Sequence, residues 1–281
     1  MISYVALERV FSAPRLQAYG APGDRDESDR VARYFWNLAL VSAIQPVLHV
    51  LEIAFRNEMA RAAARITSAR SFRTAGIPSW LDASPSMLME HERRKVADAK
   101  ERLTGDPRRR TEGDLIAKLD FGFWVALCRD SYADTRGDGP RLWPRALDIA
   151  FQKRPRTVTT RAEVYHRFDR IRKFRNRVAH HEPIWDRDYL AQHEHVLESL
   201  GWMSPRFAEA LRTVSPAPAV FNAGPYAYRP HAETLLGSGA GLAALPSIFG
   251  ILLRERHRPA FELFEALVAR LEADPPMTVY A

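Results

Sequence analysis

The sequence holds one cysteine, Cys128, in 281 residues. A single thiol excludes an intrachain disulfide framework and any Cys-rich zinc site, and it fits a reducing cytoplasm. Lysine is nearly as scarce, with 5 residues against 36 arginines. A GC-rich genome explains that ratio as well as a ligand does, so it carries no functional weight. The first twenty residues lack a basic start followed by an apolar run, so no signal peptide is expected. Long apolar runs are missing too. The best uncharged stretch, residues 234–253, is broken by Gly237, Gly239, Gly241, Pro246 and Gly250. It reads as a glycine-rich loop before a short buried helix, and no membrane span is expected. No run alternates long enough to predict a strand, and no internal repeat is present. Clusters with metal-ligand spacing are absent as well. His193 and His195, two apart on a helix, diverge by about 200°. No metal and no cofactor is therefore expected.

What is present is ordinary globular material: 46% apolar and 27% charged residues, which excludes a disordered or low-complexity chain. The length fits one large domain or a core with an appendage. The apolar spacing is helical almost throughout, so the predicted fold class is all-α. A helix opens over Asp24–Arg30 and runs through Leu38, and Pro46 is expected to kink or end it. The next runs from Pro46 to about Ile66, with Leu48, Leu51, Phe55, Met59 and Ala62 on one face. Residues 67–84 read as loop. Further helices are predicted at 86–103, 112–129, 144–151, 160–181 and 186–200. Gly105-Asp106-Pro107 ends the first of these, residues 131–141 form a loop, and Thr159 or Thr160 caps the 160–181 helix. Past Gly201 the chain turns rich in Pro, Ala and Gly, with one more clear helix at 259–272. The domain reading is residues 1–200 followed by a C-terminal helical extension, 201–281.

The net charge of +7 is uneven. Residues 1–183 carry 33 basic against 23 acidic groups, and residues 184–281 carry 8 against 11. Within 151–177 lie ten basic residues opposed only by Glu163 and Asp169. Such a stretch suits a polyanion, and phosphate is the commonest. A solvated helix face is the plainer reading. Arg167, Arg170, Arg172, Lys173 and Arg177 are the candidate RNA-binding residues.

The 160–181 helix is the informative one. Val164, Phe168, Ile171, Phe174 and Val178 mark its buried stripe. Steps of four and three lead from Ile171 to Arg175, so Arg175 stands where the pattern would put an apolar residue. An arginine there must be paired or line a polar cleft. Asn176 lies about 100° round from Arg175 and His180 about 140° round, so the three share one wedge at the helix end. His180 can exchange a proton near neutral pH, Arg175 offers a planar fork to phosphate oxygens, and Asn176 can hold a backbone or ribose group. That set suits phosphodiester cleavage. From spacing alone, a helix end whose basic groups favour the dipole explains the same residues.

Arg175-Asn176-Arg177-Val178-Ala179-His180-His181-Glu182-Pro183-Ile184-Trp185 resembles the signature of the Abi-like (abortive infection) family of the HEPN superfamily. In that motif an arginine, a polar residue and, a few residues on, a histidine match Arg175, Asn176 and His180. Trp36-Asn37, the segment Leu48 to Asn57, and Leu119 to Val125 resemble the family's N-terminal and central segments. The resemblance covers about residues 5–200. It implies an antiparallel helix bundle, a homodimer, and metal-independent RNA cleavage in which the 2′-hydroxyl attacks the adjacent phosphate. His180 would be the acid or base, and a dimer would supply a second histidine and a two-arginine clamp.

Other residues stay open. His181 assists in the site or caps the helix. Glu52 and Arg56, an i,i+4 pair, are candidate assisting residues or a structural ion pair, and Asn57 shares that choice. Trp185 stacks on a base or, more simply, covers the bundle end. Phe121, Phe123 and Trp124 read as core, and Cys128 as a buried small residue. The leading function is a ribonuclease of prokaryotic antiphage defence, either an abortive-infection effector or a toxin with an antitoxin. The alternative is a non-cleaving RNA-binding protein partnered with a small RNA.

Overall fold

The computed structural model describes residues 3–68, 80–81, 88–104, 111–133 and 142–237. Among these the chain is all-α, with no strand, as the apolar spacing predicts. Helices α1 (Tyr4–Phe11) and α2 (Ala13–Gln17) precede a long helix, α3 (Glu27–Ser68). Then come α4 (Glu90–Thr104), α5 (Glu112–Lys118), α6 (Phe121–Ala126), α7 (Arg145–Ala150), α8 (Arg161–Ala179) and α9 (Tyr189–Gly201). The last three are α10 (Pro205–Val214), α11 (Ala217–Ala223) and α12 (Arg229–Leu236).

Several boundaries depart from the expected ones for local reasons. Pro46 lies inside α3 and does not end it. Proline removes one intrahelical hydrogen bond, but Ser42, whose carbonyl loses its donor, is exposed and can reach water. Ala43, Ile44, Val47 and Leu48 are buried on either side of Pro46 and hold the helix together. The single helix expected over 112–129 is two. Leu119 is extended, and the Asp120 carboxylate accepts from the Phe123 amide at 2.6 Å, starting α6 afresh. The helix expected from 186 begins at Tyr189, because Asp188 is left-handed with φ 47°. Thr160 does cap α8. Its hydroxyl accepts from the Glu163 amide at 3.3 Å, while the Glu163 carboxylate accepts from the Thr160 amide at 2.8 Å. Past Gly201, α10, α11 and α12 come ahead of the two helices expected in the extension, the short one within 234–253 and the one at 259–272. Residues 69–79 and 82–84 of the expected 67–84 loop, 134–141 of the expected 131–141 loop, the start of the helix expected from 86, the Gly105–Pro107 stop, the 259–272 helix and most of 234–253 lie outside the described residues.

The chain groups into two compact units. The first draws its described residues from 3–47, 177–193 and 210–237. Leu7, Leu16, Val31, Ala32 and Ala232 form one of its cores. In the same unit Trp36 Nε1 donates to Val220 O at 2.9 Å, and the Tyr189 and Phe221 rings stack at 5.7 Å. Arg229 of α12 pairs with Asp26 at 2.6 Å and also with Asp29, and so fixes α12 at the start of α3. The second unit draws on 48–176 and 194–209. Phe55 and Phe168 stack at 4.0 Å in its centre, with Phe121 and Phe151 around them. The face of α3 predicted from Leu48 to Ala62 is buried throughout, as are Phe121, Phe123 and Trp124.

By length and composition alone, α3 is long and apolar enough to cross a membrane. A core helix passes the same test, and Leu40, Ile44, Leu51 and Phe55 are fully buried within the protein.

Candidate active site

The end of α8 is built from its backbone. The Glu182 amide donates to Arg177 O at 2.9 Å and the His181 amide to Val178 O at 3.3 Å. These two bonds close a helix end in which the second residue past Ala179 is left-handed, a position usually held by glycine. Here it is His181, with φ 57°. A side chain in that region costs about 1–2 kcal/mol. The helix therefore stops at Ala179, two residues short of the expected end. His180 is the first residue beyond it, one helical turn after Asn176, and His181 follows a different backbone course from the helix. Both imidazoles are exposed.

The chain after the turn is pinned from α3. Asn37 is 2% exposed, and its Oδ1 accepts from the amides of Ile184 and Trp185 at 2.8 and 3.2 Å. Its Nδ2 donates to Tyr19 Oη at 3.3 Å. From α2, Arg15 Nη1 donates to His181 O at 3.3 Å. The Arg33 guanidinium sits 5.2 Å from the Trp185 ring centroid and pairs with Asp24 at 2.7 Å. Trp185 thus has one ring face against Arg33. Asn37 was legible only as part of the family-like Trp36-Asn37 pair, because nothing in a sequence shows a carboxamide accepting from residues nearly 150 positions away.

Arg175 and Asn176 belong to the second unit, and both are half-buried. Val164, Phe168, Ile171 and Phe174 are buried as the stripe predicts. The pairing demanded of Arg175 comes from Glu52: Nε lies 3.3 Å from Oε2. The Arg175 side chain is still 39% exposed. The expected Glu52–Arg56 ion pair is not formed, because Glu52 turns to Arg175 instead. Arg56 Nε is buried with no hydrogen-bond partner among the described residues. Asp120 also lies in the field of Arg175. Burial would raise its pKa, but the Lys95 ammonium, the Phe123 amide and the Arg175 charge together hold it below the usual carboxylate range. Its cap position before an apolar helix was the signal that could have found it.

The basic stretch is mostly neutralised in space, by acids from outside its own window. Arg154 pairs with Asp148, Arg161 with Asp130, Arg167 with Glu198, Arg175 with Glu52 and Arg177 with Glu182. Asp169 takes both Arg172 and Lys173. Arg167 is the most firmly held. It donates to Ser199 Oγ at 2.7 Å, lies 4.6 Å from the Trp202 ring centroid, and is only 18% exposed. Among the five candidate RNA contacts, Arg170 is exposed with no ion pair among the described residues, and the Lys173 side chain is 71% exposed.

His193 is buried, with Nε2 2.8 Å from Ser215 Oγ. His195 is pushed down to about 4 by burial and by the charges of Arg167 and Arg170. Cys128 is fully buried, and burial pushes its thiol up. Among the described residues no group of three or more His, Cys, Asp or Glu side chains is placed to hold a metal ion. A cavity of about 250 Å³ lies in the second unit, between Asn57, Ala60, Arg61, Ala64, Trp80, Glu112 and Ile116, and none of the motif residues lines it. Compared with family models, with curated proteins and with solved structures, the chain has no match.

Proposed function

We propose that the chain is an endoribonuclease of prokaryotic antiphage defence, acting without a metal and as a homodimer in the cytoplasm. The observation that carries the reading is the end of α8. His180 is exposed one turn beyond Asn176, on a turn tied down at the His181 carbonyl and at the Ile184 and Trp185 amides. Arg175, paired with Glu52, still keeps 39% of its side chain exposed. The resemblance of residues 175–185 to the Abi-like signature supports the same reading.

In this chemistry a base takes the proton of a ribose 2′-hydroxyl. The 2′-oxygen bonds to the adjacent phosphorus, the bond from phosphorus to the 5′-oxygen breaks, and that oxygen receives a proton. The products are a cyclic phosphate and a 5′-hydroxyl. His180 serves as base or acid, and its counterpart in a second protomer takes the other role. Arg175 stabilises the charge that develops on the phosphoryl oxygens, and Asn176 orients the backbone or ribose.

His180→Ala tests the assignment. Acid–base help is worth roughly 10²–10⁴-fold, so cleavage of single-stranded RNA should fall by that much while helicity and RNA binding stay near wild type. Cleavage should survive EDTA and leave cyclic phosphate ends. Wild-type cleavage by pure His180→Ala protein removes the ribonuclease reading of this motif and puts the non-cleaving RNA-binding protein in its place.

A further inference from the structure

Arg15 reaches the histidine turn from the far end of the chain. Its Nη1 bonds the His181 carbonyl across 166 residues of sequence. The side chain is exposed, and among the described residues no carboxylate pairs with it. The acid on the turn itself, Glu182, is taken by Arg177 at 3.3 Å. A guanidinium has five N–H donors in a rigid fork, so one bond to a carbonyl leaves most of them free. Arg15 therefore brings a positive charge with no ion pair among the described residues to the backbone of a turn whose two histidines are exposed.

Two neighbours mark where that charge sits. Tyr19 and Tyr34 are both raised by burial, and Arg15 opposes the rise in each. The Arg15 charge thus acts on the Tyr19–Tyr34 ring pair as well as touching the turn. The turn is the strained part, since His181 occupies a left-handed position. Backbone strain of this kind persists where the surroundings over-determine it, and the Arg15 bond is one of those constraints. A planar cation anchored on one edge to a turn with two exposed histidines, where Glu182 pairs with Arg177 and Asp186 with Arg187, has the chemistry to hold a phosphodiester oxygen.

We propose that Arg15 is a phosphate-contacting residue of the histidine turn, holding the RNA backbone beside His180 with the donors that the His181 carbonyl leaves free. The proposal rests on the RNA reading above. It differs from a turn-supporting role in one measurable respect, because only a phosphate contact releases counterions. The salt dependence of binding to a fluorescent single-stranded oligoribonucleotide reads that contact directly. His180→Ala protein is used throughout so that the probe is not cut. Arg15→Gln removes the charge and should make the slope of log K against log salt shallower by about 0.7, the value for one phosphate on a single strand. Between 50 and 200 mM salt that is about a 2.6-fold smaller loss of affinity. Arg15→Lys keeps the charge and should keep the slope. The melting temperature is recorded on the same samples. An unchanged slope in Arg15→Gln, whether or not the melting temperature falls, assigns Arg15 to the turn alone and overturns the proposal while leaving RNA binding intact. No binding by His180→Ala protein with native Arg15 removes the RNA reading and this proposal together.

Discussion

His181 is where backbone and side chain ask for different residues. Its φ of 57° suits glycine, and the two hydrogen bonds that close α8 need only the backbone. His181→Gly should therefore raise the unfolding free energy by about 1 kcal/mol, seen as a higher melting temperature. If the imidazole contributes to the site, cleavage should fall in the same variant. A melting temperature at or below wild type means that the turn is not strained. His195 offers a second test, through pH. Its folded pKa is about 4, below the ordinary value of 6.5, so the unfolded chain binds the extra proton first. The protein should then lose stability as pH falls from about 6.5 towards 4, while above 6.5 the effect vanishes. The lowered carboxylates Asp24, Asp26, Asp29 and Asp169 cost stability only at lower pH, below their ordinary value of 3.8. His195→Gln should flatten the melting curve against pH between 6.5 and 5, and an unaltered slope there overturns the assignment. Neither residue's state was legible in the sequence. Pro183 announced that the helix must end, but with no glycine nearby nothing marked which residue would turn left-handed. The two-residue spacing of His193 and His195 ruled out a metal pair but said nothing of burial, and the burial of His195 beside Arg167 depends on how α9 meets α8 within the second unit.

At the scale of elements, one side chain of α3 does what a loop cannot do for itself. The Ile184 and Trp185 amides have no helix to bond within, and Ile184 is fully buried. Asn37 accepts from both, so replacing it leaves two donors unsatisfied. Asn37→Leu should cost about 2–6 kcal/mol, at 1–3 kcal/mol for each buried unpaired group. A loss below 1 kcal/mol in urea unfolding would falsify this account of the turn. The same scale shows what periodicity could and could not reveal. The stripe of α8 and the Leu48–Ala62 face of α3 were readable because burial repeats at the helical period. The demand that Arg175 be paired was readable from that stripe, but its partner was not: the local rule joined Glu52 to Arg56, and a tertiary contact won. Pro46 was given too much weight, because propensity ignores the buried residues that hold both flanks. Asp120 was given too little, since an unbroken apolar face from Leu115 to Ala126 hid the new start of a helix.

For the whole molecule the main lesson concerns charge. Counting along the sequence leaves a +8 stretch at residues 151–177, yet five of its ten basic side chains meet acids from outside it, Asp130, Asp148, Glu52, Glu182 and Glu198. Sequence distance hides such compensation, because each acid lies outside the window that was counted. The segment is therefore a poorer electrostatic magnet than its composition suggests, and its members must divide into two kinds. Arg167 is held by Ser199, Glu198 and the Trp202 ring, so its loss is a packing event. Arg170, exposed and without an ion pair among the described residues, is free to meet phosphate. Arg170→Gln should leave the melting temperature within a degree or so of wild type. It should also make the salt slope of RNA binding shallower by about 0.7. Arg167→Gln should do the reverse. The slope should stay as it is, and stability should fall by roughly 1–3 kcal/mol from the lost cation–π and charged hydrogen bonds. Equal weakening of RNA binding by the two variants, at equal melting temperatures, would show that the basic helix acts as one undivided surface and that its ion pairs do not sort its arginines.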